Sequence, residues 1–165
     1  MPLTTDSIAD AALAILADFG MGDLSMRRLA RDLDVQPSAL YWHVKNKQEV
    51  FVLVSRRLSA EVDARLPRGT AASAVVVATA LRDVLLRHRD GAEIFLLAYS
   101  LDAESTVPER LEEAVPDPAA QEALLSFVLG HVQIEQNRQL LGVADAGAGE
   151  RFAAALSSVA RALLP

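Results

Sequence analysis

Between Leu24 and Lys47 the chain reads LSMRRLARDLDVQPSALYWHVKNK, two short segments joined by a tight turn, with basic and aromatic side chains crowded onto the second. Two helices joined in this way send the N-terminal part of the second into a DNA major groove. Such a helix needs small or polar residues at its leading end, which Gln36, Ser38 and Ala39 supply. It also needs flanking donors for phosphate, and Arg27, Arg28, Tyr41, His43, Lys45 and Lys47 qualify. Phosphate ligands set register and affinity, whereas only groove-facing groups read sequence. Gln36 is the candidate reader, because a side-chain amide pairs bidentately with adenine.

The elements that must hold this stretch follow from apolar spacing. Ile8, Ala11, Ala12, Ile15, Leu16 and Phe19 recur at three- and four-residue steps, which predicts a helix from Thr5 or Asp6 that stops at Gly20 and Gly22. Ser25 suits the N-cap of a second helix with Met26, Leu29, Ala30 and Leu33 inward, ended by Asp34. Pro37 suits the first turn of a third, expected as a rigid rod over Gln36–Val44 with Leu40 and Val44 in the core. Asn46 and Glu49 have the spacing of a capping box for a fourth helix through Val50, Phe51, Val54, Leu58, Val62 and Leu66. Pro67, Arg68 and Gly69 form the clearest break, dividing the chain into domains at 1–66 and 67–165.

Beyond the break the pattern predicts helices over Thr70–Arg89, Ala92–Ser100 and Thr106–Ala114. A long helix runs from Asp117-Pro118 to about Leu141, with Leu124, Phe127, Val128, Val132 and Ile134 on its apolar face. Gly142–Glu150 reads as a loop, and Arg151–Leu164 as a last helix with Phe152, Leu156, Val159, Ala160 and Leu163 inward. The fold class is all-α.

Composition narrows the function. The chain has 165 residues, no cysteine, and a hydrophobic fraction of 52%, without an apolar run long enough for a membrane span. MPLTTDSIAD is not a secretory leader, so a soluble cytoplasmic protein with no membrane partner is expected. Net charge is −6, of which residues 1–66 carry −1 and residues 67–165 carry −5, while Met26–Gln48 carries +3. A local cationic face on an acidic body suppresses indiscriminate DNA binding while leaving one place for contact. No Gly-rich phosphate loop and no nucleophile beside a base is present, so catalytic residues, metal ligands and cofactors are all expected to be none.

Residues 24–47, and LYWHVKNK above all, resemble the DNA-binding domain of the tetracycline-repressor (TetR) family of bacterial transcriptional regulators. The resemblance covers residues 5–66 and continues more weakly at LRHRDGAEIF, Leu86–Phe95. It implies an N-terminal three-helix helix-turn-helix domain, a connecting fourth helix, and a C-terminal helical domain that dimerises and binds a small-molecule effector. It implies a repressor released from a double-stranded, palindromic operator. Ser25 and Arg27 would then hold phosphates, and Gln36, Pro37, Ser38 and Ala39 would lie against base edges. Tyr41, Trp42 and His43 would flank the groove, with Tyr41 and Lys47 on the backbone. The proline stands one residue nearer the N-terminus, relative to LYWHV, than in tetracycline repressors, which implies a different base-reading set. Blander readings stay open: Trp42 as a core plug, Arg28 and Arg31 as a solvated face, His43 as a helix C-cap.

On the effector side, Phe95 stands where the tetracycline repressors carry a histidine for a metal–drug chelate, and Gln139 where they carry an acid. A metal–tetracycline effector is therefore not expected. Phe95, Tyr99, Phe127 and Val128 suggest a mostly apolar pocket, with His131 as a polar handle or a satisfied core histidine. The last two long helices have the length for a four-helix dimer bundle, with Ala123, Gly130, Ala154 and Ala155 permitting close approach. The rival reading is a helical dimer that uses the same domain for protein interaction.

Overall fold

The computed structural model describes residues 3–67, 69, 71–143 and 145–164. These residues form ten α-helices and no strand. They are α1 (Thr5–Phe19), α2 (Met26–Asp32), α3 (Pro37–Leu40), α4 (Lys47–Arg65), α5 (Ala74–Arg87), α6 (Gly91–Leu101), α7 (Ala103–Thr106), α8 (Glu109–Ala114), α9 (Pro118–Leu140) and α10 (Ala148–Leu163). No helix among the described residues is long and apolar enough to cross a membrane.

Local chemistry sets most boundaries. Thr4 and Ser7 cap α1 reciprocally, and the helix stops at Gly20, whose φ of 79° favours glycine. Ser25 caps α2 through the Arg28 amide, and Asp34 turns the chain at φ 53°. Asn46 caps α4 by accepting from the Glu49 amide. The Glu49 carboxylate accepts from the Lys45 amide at 2.8 Å, one residue before the cap, so the box is shifted by one position.

Four elements depart from their expected bounds. α3 holds helical form only to Leu40, whose carbonyl accepts from both His43 and Val44 at 2.9 Å. The expected rod is thus one helical turn followed by a tightened one, because Tyr41, Trp42 and His43 are indifferent helix formers. Of the break at Pro67–Gly69, Arg68 lies outside the described residues, as does Thr70; α5 begins at Ala74, capped by Ser73. The helix expected over Thr106–Ala114 is split, because Val107 and Pro108 hold extended backbone between α7 and α8. α10 starts at Ala148, inside the expected loop. Ile134 does not share the apolar face of α9 and is 52% exposed.

One apolar core runs the length of the chain, from Ile8 through Leu58 and Leu81 to Leu156. α4 packs on α1 and α2's bundle at one end and on α5 and α6 at the other, so it belongs to both halves. α5 and α6 pack on α9, and α10 closes over α9 and α5.

Candidate nucleic-acid interface

Leu29 and Ala30 of α2 and Leu40 of α3, with Val44 just beyond it, are buried in the core that the two helices share with α1 and α4. Gln36 precedes Pro37 at the helix start, and its side chain makes no capping bond. Gln36, Pro37, Ser38, Tyr41 and His43 are exposed, Ala39 is half-buried, and Trp42 is 89% exposed. An indole almost wholly in water at the end of a short helix is not a core plug; that reading of Trp42 is corrected by Leu40 and Val44 taking the core places. Arg27 is exposed, and Ser25 beside it spends its hydroxyl on the cap of α2.

The other cations have prior engagements. Arg28 is mostly buried, bonds Asp23 at 3.2 Å, and lies 3.5 Å over the ring of Phe19. It fastens the end of α1 to α2, which answers the open reading of its role. Lys47 donates its ammonium to the Met21 carbonyl at 3.2 Å, with the ring of Phe51 beside it. Arg31 and Lys45 remain exposed.

Met21 marks a joint that inspection of the sequence missed. Its amide donates to the Asp90 carboxylate at 2.7 Å, across from the α5–α6 corner. Its peptide is therefore gripped by Lys47 of α4 on one side and by the C-terminal half on the other. A hydrogen bond to a charged acceptor of this kind contributes about 1.5–3 kcal/mol. Asp90 sits at φ 58°, and Gly91 follows it. A Cβ on Gly91 would come within 2.6 Å of the Leu85 carbonyl oxygen, so only glycine fits. Arg89 reaches the Asp18 carbonyl from the same corner. The Asp90-Gly91 pair was the one readable sign of a special turn here.

The pattern of this bundle matches known proteins. The family model of the bacterial regulatory proteins of the tetR family matches residues 8–54. BioQ of Mycobacterium smegmatis shares 31% identity over 98% of both chains, with a TM-score of 0.79. This chain belongs to the tetR family. A structure of BioQ with its double-stranded DNA operator aligns at 32% identity and a TM-score of 0.78, again over 98% of each chain. The tetR-family protein ActR of Streptomyces coelicolor, in complex with actinorhodin, aligns over 99% of this chain and 98% of its own, at 26% identity and a TM-score of 0.78. A class D tetracycline repressor from Escherichia coli is 37% identical over 98 residues, 57% of this chain and 45% of the repressor. The match thus spans about half the length of the tetracycline repressors. The tetR family is one of regulatory proteins, not enzymes.

Within this tetR-family fold, the residues expected at the effector pocket separate into two groups. Phe95 and Val128 are sealed in the core. Tyr99 is half-buried on α6, and burial, followed by the charge of Glu122 on α9, raises its phenol pKa. Phe127 and His131 form an aromatic group with Phe152 of α10, the ring centroids 5.3–5.6 Å apart. Burial, then the Arg82 guanidinium, lowers the His131 pKa, and Glu135 opposes them. Arg82 holds both Glu135 oxygens, at 2.8 and 3.0 Å, so that carboxylate is not free for a ligand. His131 also lines a cleft of about 270 Å³ with Ile134, Arg138 and Arg151. Glu135, Arg138 and Arg151 bring charge to its walls beside the apolar Ile134, Ala148 and Ala155.

Proposed function

We propose that this chain is a homodimeric, ligand-responsive transcriptional regulator, a repressor that binds a palindromic operator and leaves it when a small-molecule effector binds. The observation that carries the reading is the outward face of Gln36–His43. Leu40 is buried, Ala39 is half-buried, and Gln36, Pro37, Ser38, Tyr41, Trp42 and His43 are left in water beside Arg27. In this reading Ser25, Arg27, Tyr41 and Lys47 hold the backbone, Lys47 through its place at the start of α4. Gln36, Pro37, Ser38 and Ala39 meet base edges, and Trp42 and His43 flank them. BioQ with its operator and ActR with actinorhodin support the two halves of the proposal.

Dimerisation is supported by small exposed residues in rows. α9 exposes Ala119, Ala123, Ser126 and Gly130, and α10 exposes Ala153, Ala154, Ser157 and Ser158. Such rows let helices of two copies approach closely around a twofold axis. The effector is proposed to enter where Phe95 and Tyr99 of α6 face the helix bearing Phe127, Val128 and His131. Because Phe95 and Val128 are sealed, binding must part packed helices, and that displacement is what releases DNA. Residues 1–66 act as the DNA-binding unit and residues 67–165 as the effector and dimer unit.

The test is selection of duplexes from a random pool by the purified chain, followed by titration at several salt concentrations. A palindrome should emerge with half-sites centred about 34–36 Å apart, and affinity should fall steeply with salt. Arg27→Ala should weaken all sequences alike and reduce the salt slope by about 2, about 1 for each copy. Gln36→Ala should cost about 1–3 kcal/mol at one base position only. A pool that yields no preferred sequence would return the protein-interaction module instead.

A further inference from the structure

We propose that Gln136 is the positioning residue through which α9 sets the DNA-binding head. The inference rests on the regulator reading above and names the part that would carry its signal. Gln136 is a polar residue only 7% exposed, on the side of α9 that meets the α5–α6 corner. Its amide nitrogen donates to the Leu85 carbonyl at 3.1 Å and to the His88 carbonyl at 2.9 Å. Its amide oxygen accepts from the Ala92 amide at 3.2 Å. The carbonyls need a donor and the amide an acceptor, so the three partners fix which way the side chain points.

Those partners lie among the groups that helix ends leave without a regular four-residue bond. The Leu85 and His88 carbonyls also take the His88 and Gly91 amides, at 3.2 and 3.0 Å, and Gln136 fills their second acceptor places. Leu85 and His88 lie at the close of α5 and Ala92 at the opening of α6. One side chain from a third helix therefore caps both at once. No apolar residue can do this, and neither a carboxylate nor an ammonium offers both donor and acceptor. Between the capped ends lies the short corner that carries Asp90, whose carboxylate holds the Met21 amide. The aim of Asp90 thus depends on where α9 places Gln136. Beside the corner, Leu86, Arg89, Gln139 and Leu140 line an open cleft of about 350 Å³, which leaves the corner room to shift when α9 does. His131 and Gly130 lie about 7–9 Å away along the same helix. A push there from an effector or a second copy arrives at Gln136 as a displacement of the rod.

The test uses the full chain and reads single-amide hydrogen exchange, dimer mass, and affinity for the duplex selected by the unaltered protein. Gln136→Leu should speed exchange at Ala92 and at Met21 by about tenfold or more while leaving Val54 in α4 unchanged. Affinity for the duplex should fall by about tenfold. Faster exchange at Ala92 with Met21 and affinity unchanged would overturn the proposal, because Gln136 would then be a cap and nothing more. If Gln136→Leu loosens the whole protein, Gln136→Glu decides. It keeps the acceptor for Ala92 but sets a carboxylate against two carbonyls, so Met21 should speed up while Ala92 stays protected; a Met21 amide as slow as in the unaltered chain would refute the idea. A chain that binds no duplex would remove the regulator reading, while the exchange at Met21 would still decide whether the joint exists.

Discussion

Trp42 spends its indole in water, although burying an aromatic ring of this size is among the most favourable things a chain can do. The fold does not need it, so its use lies elsewhere. Trp42→Ala should leave the melting temperature almost unmoved, within the roughly ±0.5 kcal/mol usual for surface changes. Affinity for the selected duplex should drop by about tenfold, a loss of about 1.4 kcal/mol. A lower melting temperature with unchanged affinity would assign Trp42 to the fold after all. The same scale shows why counting charges misleads. Arg27 and Arg28 are neighbours in sequence, but about 100° apart around the helix, so one faces water and the other is folded over Phe19. Which arginine is free is decided by where Phe19 and Asp23 fall in space, and spacing along one helix does not show that.

At the level of elements, the caps were the legible part. Ser25, Asn46 and Asp117 each sit where a short acceptor is needed, and α2, α4 and α9 start beside them, whereas the cap at Thr4 shows itself only in the structure. The helix expected from Thr70 starts only at Ala74, because the sequence from Thr70 to Ser73 carries no breaker of its own and the cap at Ser73 shows itself only by accepting from Val76. The joint at Asp90 and Gln136 was not legible beyond its turn residues, since it pairs groups 69 and 44 positions apart. α4 and α5 are clamped by a polar contact equally hidden from spacing. Glu61 receives Arg87 and lies 2.9 Å from the His88 imidazole. Burial first, then the Arg87 charge, holds the His88 pKa below 6.5. The unfolded chain therefore takes up this proton at a higher pH than the folded one. The contribution is present in full above about 6.5 and is lost as pH falls through the lower folded value. The melting temperature should fall between about pH 8 and about pH 5.5, and the fall should be shallower in His88→Gln. An equal slope in the two proteins would show that His88 does not govern it.

For the whole molecule, the proposal makes operator binding depend on doubling. One copy offers a single short reading turn on a cationic patch, set on a chain of net charge −6, so its hold on DNA is local. Two copies joined through α9 and α10, as proposed, would turn the second half-site contact into an intramolecular event, which adds about 10²–10⁴ in avidity without any new contact type. Gly130 is the place to break that arrangement. It lies exposed on α9, and a Cβ built there meets nothing within 4 Å in the single chain. Gly130→Arg should therefore leave each copy folded, and it should favour the helix by up to about 1 kcal/mol, since glycine is a poor helix former. Against a second copy, the same side chain puts bulk and charge where helices are proposed to touch. Sedimentation should show a monomer with unchanged helical circular dichroism, and affinity for the full palindrome should fall about 100-fold or more, to that for a single half-site. The half-site affinity should change far less than that, because Gly130 is exposed on α9 and takes no part in the reading turn itself. That last comparison separates a broken pair from a damaged reading head. A Gly130→Arg protein that still sediments as a dimer would place the twofold contact on some other face.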